Sequence, residues 1–167
     1  IVDYQMGNLR SVAKGVEKVG GQVVVSCEPN ELSQASHLIL PGVGAFGDAM
    51  RELQSRHLIP WIREWIDNDK PFLGICLGMQ LLFDSSEEGG FHEGIGVIPG
   101  SVVRFDNRDL GIDQPNGVPQ SEAERKIPHM GWNRVRSTMS DDPMLKGVSD
   151  NPFVYFVHSY YVKPVDP

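Results

Sequence analysis

Apolar residues recur at spacings of three and four through Leu9, Val12, Val16 and Val19, which predicts an amphipathic helix closed by Gly20-Gly21. Ahead of it, Ile1 to Asp3 reads as the tail of a strand and Tyr4 to Asn8 as a turn. Gln22 to Ser26 is a β-branched run, hence a second strand, and Leu38-Ile39-Leu40 is a short apolar strand that stops at Pro41-Gly42-Val43-Gly44. Helical spacing returns over Asp48–Ser55 and Leu58–Asp67. Phe72–Ile75 then reads as a buried strand and Leu77–Phe83 as the helix after it. Strands alternating with helices imply right-handed crossovers, so the pattern predicts an α/β fold with a mainly parallel central sheet flanked by helices. In such sheets ligands bind at the carboxyl ends of the strands.

After Gly94 the pattern shortens. Val97-Ile98, Val102–Phe105, Val135 and Phe153–Val162 read as brief strands joined by turns, which predicts a smaller antiparallel portion in the C-terminal half. Asp106–Lys126 is a polar stretch of 21 residues with two prolines, long enough to suggest a functional or mobile loop. No repeat or second domain is evident, so residues 1–167 are expected to form a single domain. Ile1 opens directly on a strand pattern without a Met, and Pro164–Pro167 halts just after one. The N-terminus is therefore expected to be trimmed and the C-terminus truncated.

Composition narrows the function classes. The net charge is −7 with no run of Lys or Arg, which tells against nucleic acid and membrane surfaces as partners. The apolar stretch Leu58–Ile66 is too short to span a bilayer and carries Arg63 and Glu64. Two cysteines, Cys27 and Cys76, in a chain without a signal-like segment point to a reducing cytoplasm and not to a disulfide framework.

The segment around Cys76 carries chemistry. Gly74-Ile75-Cys76-Leu77-Gly78 is G-x-C-x-G, a nucleophile elbow with cysteine in place of serine. An apolar strand leads into the thiol and a helix starts directly after it. The flanking glycines remove Cβ atoms that so sharp a turn has no room for, and the positive end of the helix favours the thiolate. Taken alone, the motif also suits a small buried cysteine in a glycine-rich turn.

The wider segment through Met79 and Gln80 resembles the elbow of the triad-type (class I) glutamine amidotransferases. Pro41-Gly42-Val43-Gly44, one βα unit earlier, is similar to that family's oxyanion strand. Three further blocks, Asp3–Leu9, Lys126–Asn133 and Tyr155–Tyr160, resemble the branch that serves imidazole glycerol phosphate synthesis in the histidine pathway. Of these, Pro128-His129-Met130-Gly131-Trp132-Asn133 is the most specific. Gln5 departs from the pattern, which has Gly there.

The resemblance implies a flavodoxin-like sheet and hydrolysis of glutamine to glutamate and ammonia, without cofactor or metal. It places the nucleophile at Cys76 and the oxyanion hole at the N–H groups of Gly42, Val43 and Leu77. Substrate contacts fall to Gln80, to Glu88 for the α-ammonium group, and to Ser159 and Tyr160 for the α-carboxylate end. Met130, Trp132 and Asn133 would face a (β/α)8-barrel cyclase partner that consumes the ammonia. Another class I glutaminase, or a scaffold that binds the cyclase without hydrolysing anything, are the rival readings.

The triad's base and orienting carboxylate are not matched here. The family places them in Phe-His-Pro-Glu, and none of the five histidines, His37, His57, His92, His129 and His158, precedes a proline. His158 matches a different family histidine, in Val-His-Ser-Tyr, so the base and its carboxylate are expected beyond Pro167.

Overall fold

The computed structural model describes residues 1–106, 127–136, 145–149 and 151–166. They fall into two compact units, Ile1–Val103 with Val162–Pro167, and Arg104–Tyr161. The long polar stretch lies, apart from Asp106, outside the described residues.

The first unit is built on a parallel pair. β1 (Leu38–Gly42) runs beside β2 (Phe72–Cys76) in a register that sets Leu38 against Phe72 and Gly42 against Cys76. On the other edge of β1, Val2 N–H donates to Ile39 O at 3.0 Å, so Ile1–Asp3 continues the sheet. The Gln22–Ser26 run lies beyond it. There Ile1 N donates to Val24 O, Ser26 N–H to Ile1 O and Asp3 N–H to Ser26 O. Only the Val2–Ser26 bridge is regular, and Val24 and Val25 are exposed, so the expected second strand is an edge segment in place of a full ladder.

Helices follow these strands close to where the spacing predicts them, although α1 buries none of its residues. α1 (Leu9–Lys18) starts where Asn8 Oδ1 accepts the Ser11 N–H, and Val19 falls just past its end. α2 (Pro29–Leu32) is a single turn that the apolar pattern gave no sign of. α3 (Phe46–Ser55) buries Phe46, Ala49 and Leu53, and α4 (Leu58–Asp67) buries Leu58, Ile62 and Trp65. Each large side chain so buried contributes roughly 1.5–3 kcal/mol of transfer free energy. These residues, with Leu38, Leu40 and Tyr4, form the core beneath the site.

α5 (Leu77–Gln80) is shorter than the helix predicted through Phe83. Its last turn closes with Leu81 N–H on Leu77 O at 2.9 Å, and then the backbone is claimed by the following hairpin. Leu81 O accepts from Ile95, Leu82 O from Val97 and Ile98, and Phe83 O from Gly96. Phe83 thus opens β3 (Phe83–Ser86), antiparallel to β4 (His92–Glu93) and parallel to β5 (Ile98–Arg104). Val162–Pro164, in β8 (Tyr160–Pro164), completes the order β4-β3-β5-β8.

The second unit contains an antiparallel ribbon, β6 (His129–Arg134) with β7 (Phe153–His158), paired from His129–His158 to Arg134–Phe153. Alternation puts Met130, Trp132, Tyr155 and Val157 on one exposed face, with Trp132 edge-on to Tyr155 at 5.5 Å. His129, Asn133 and His158 share the other face. The mixture of parallel and antiparallel strands agrees with the α/β class predicted.

Candidate active site

Cys76 stands at the joint of β2 and α5, and the joint is strained. Its φ of 54° and ψ of −117° lie where a residue with a Cβ rarely rests. The surroundings leave the backbone no alternative. A Cβ on Gly74 would lie 2.6 Å from Met79 Cα, and one on Gly78 would run into the carbonyl oxygen of Leu40. A Cβ on Gly42 would lie 2.6 Å from Gly78 N and 2.8 Å from Leu77 Cβ. Two strand ends and a helix start are therefore packed backbone to backbone. The thiol at their apex is exposed.

The β1–β2 register sets Gly42 beside Cys76, so the turn after β1 lies next to the nucleophile. Val43 is 63% exposed there, and Gly44 has φ of 123°. The loop after Asp3 folds back over this turn. A Cβ on Gly7 would lie 3.3 Å from Gly42 N, and Tyr4 donates its hydroxyl hydrogen to Pro41 O at 2.7 Å. Burial, and then the negative charge of Cys76, push the Tyr4 phenol well above its ordinary range.

Glu88 is held from two sides. Its Oε2 accepts the Phe46 N–H at 2.8 Å, capping α3 just after the turn, and its own N–H donates to the buried Ser86 Oγ at 3.2 Å. A carboxylate at this helix start also complements the helix dipole. The sequence gave no sign of this capping role, because Glu88 and Phe46 are far apart in the chain. Gln80 ends α5 and is half-buried.

The remaining sequence-selected residues lie in the second unit. Ser159 O accepts from Phe105 N–H at 3.0 Å, and Tyr160 O accepts from His158 Nδ1 at 2.8 Å. Met130 and Trp132 are 60% and 66% exposed on one face of the ribbon. Asn133 is on the opposite face, where its Nδ2 donates to His129 Nε2 at 2.6 Å. It is thus separated from the two side chains it was grouped with.

The five histidines are placed as follows. His37 bonds to Ser36, and His57 precedes α4 in a left-handed conformation. The His92 ring abuts the face of Gly47, and His129 and His158 bond to each other. Among the described residues no helix is long and apolar enough to cross a membrane.

A family profile described as glutamine amidotransferase class-I matches residues 1–167. The chain belongs to the class-I glutamine amidotransferases. Similar curated members are called imidazole glycerol phosphate synthase subunit HisH. The one from Acaryochloris marina is 49% identical over 167 residues, which cover 100% of this chain and 71% of the relative. That from Geobacillus kaustophilus is 51% identical over 166 residues, covering 99% and 73%. A solved structure described as a crystal structure of glutamine amidotransferase superposes with a TM-score of 0.67 at 14% identity, over 97% of this chain and 72% of that one. At that identity the structural match shows the fold alone.

Proposed function

We propose that the chain hydrolyses glutamine to glutamate and ammonia through Cys76, as the glutaminase subunit of imidazole glycerol phosphate synthase. The observation that carries this reading is the conformation of Cys76: an exposed thiol at positive φ on a strand-to-helix turn, with Gly42 beside it. The relatives' names supply the pathway, and the geometry supports the chemistry.

The sulfur attacks the side-chain carboxamide carbon, and the C=O electron pair moves to oxygen. The N–H groups of Gly42, Val43 and Leu77 stabilise that oxyanion. Collapse expels ammonia with a proton from the base and leaves a glutamyl thioester, which water hydrolyses. Gln80 and Glu88 hold the substrate, with Glu88 supplying negative charge for the α-ammonium group. The base and its carboxylate are proposed to lie outside residues 1–167, since none of the five histidines precedes a proline as the family's base does and the HisH relatives are longer than this chain.

Ammonia freed in neutral water becomes ammonium, which is no nucleophile, so direct transfer to a synthase partner follows from the chemistry, and the family resemblance makes that partner a (β/α)8-barrel cyclase. The exposed pair Met130 and Trp132 suits that contact, and Asn133 braces the ribbon from behind through His129. A soluble cytoplasmic heterodimer is the assembly proposed. Glutamate release by the full-length protein with its cyclase is the test: Cys76→Ala abolishes it, and an unchanged rate in that variant rejects this function.

A further inference from the structure

Tyr4 has no part in the chemistry above, yet its side chain is fully buried and its hydroxyl donates to Pro41 O at 2.7 Å. The ladder explains the bond. Val2 N–H donates to Ile39 O, so the next carbonyl facing that edge of β1 is that of Pro41. Pro41 has no N–H, which leaves the carbonyl as its one pairing group before the turn. The first strand departs here, for Gln5 turns to φ of 65° and its N–H closes on Asp3 Oδ1 at 3.0 Å. The phenol completes the ladder where the main chain leaves it.

The same oxygen reaches the turn. A Cβ on Gly42 would lie 2.8 Å from Tyr4 Oη and 2.6 Å from Gly78 N, so Gly42 is clasped between the phenol and the elbow helix. A peptide unit is planar, so fixing the Pro41 carbonyl fixes the Gly42 N–H and limits the swing of Val43 after it. Burial keeps the phenol protonated, hence a donor, throughout the neutral range.

We infer that Tyr4 is a positioning residue for glutamine hydrolysis: it anchors the Pro41–Gly44 turn against the elbow so that the amides aimed at the oxyanion keep their direction. This rests on the glutaminase reading and adds a residue that touches neither substrate nor sulfur.

Tyr4→Phe, in the full-length protein assembled with its cyclase, keeps the ring and removes only the hydroxyl. Losing an oxyanion donor outright costs about 10²–10³ in kcat, so loosening its support is expected to lower kcat about tenfold. KM for glutamine should stay within about twofold, because the ground-state contacts are untouched. Glutamate γ-semialdehyde, whose hemithioacetal with Cys76 puts an oxygen in the same place, should bind about tenfold more weakly. An unchanged aldehyde affinity overturns the inference whatever kcat does. If wild type releases no glutamate, or Cys76→Ala matches it, the glutaminase reading falls and the role of Tyr4 with it. An active wild type with an indifferent Tyr4→Phe removes only the role of Tyr4.

Discussion

His129 Nδ1 and His158 Nε2 meet at 2.9 Å across the β6–β7 ribbon, within a chain of bonds that runs in one direction. The Tyr160 carbonyl can only accept, so His158 carries its hydrogen on Nδ1 and accepts at Nε2. His129 therefore donates from Nδ1 and takes the Asn133 amide hydrogen at Nε2. A second proton on either ring sets donor against donor. Burial, and then a charge on His158, lower the His129 value below the usual 6.5. The neutral form is favoured in the fold, so this contribution is complete above the unfolded value and lost as the pH falls through the folded one. Thermal unfolding between pH 7.5 and 5.5 should show declining stability, and His129→Asn should flatten the decline.

Gly78 faces the carbonyl oxygen of Leu40 at a separation that no Cβ can share. Both parties are backbone, one in β1 and one at the start of α5. Gly78→Ala should cost at least the upper end of the roughly 1–3 kcal/mol of an overpacked core. A denaturant midpoint equal to that of wild type would show that the elbow has more room than its packing suggests.

Gln5 occupies a left-handed conformation, with φ of 65°. A residue with a Cβ gives up roughly 1–2 kcal/mol there, partly offset by the extra entropy glycine loses on folding. Gln5→Gly is expected to stabilise by roughly 0.5 kcal/mol, or about 1–2 °C in Tm. A fall in Tm would mean that the Gln5 side chain makes contacts worth more than the strain.

Glu88 serves two masters if the glutaminase reading is right, and two substitutions separate them. Glu88→Gln keeps an acceptor for Phe46 N–H, so Tm should barely move while KM for glutamine rises about tenfold or more with the charge gone. Glu88→Ala also removes the cap and should cost about 1 kcal/mol of stability in addition. Equal KM values for Glu88→Gln and wild type would leave only the capping role.

The parts of this fold legible in the sequence are those decided within one strand-turn-helix unit. The strands expected at Leu38–Leu40 and Phe72–Ile75, the helix expected over Asp48–Ser55 and the glycines at Gly74 and Gly78 all followed from local spacing, to within two residues of the observed ends. What escaped depends on partners distant in the chain. Phe83 reads as helical until Gly96 claims its carbonyl, and Gln22–Ser26 reads as a strand although only Ile1–Asp3 pairs with it. Likewise the capping bond from Phe46 to Glu88, the Tyr4 bond to Pro41 and the turning of Asn133 toward His129 are properties of the assembled backbone. No periodicity encodes them.

The conformation of Cys76 has a consequence for how this chain could change over time. Its φ of 54° is held against a preference of roughly 1–3 kcal/mol. A glycine at that position would relax the turn, so Cys76→Gly is expected to unfold at a higher temperature than wild type. A lineage that no longer needed the thiol would gain stability by discarding it. The turn therefore carries a standing cost that a thiol with chemistry to do would offset and an idle one would not.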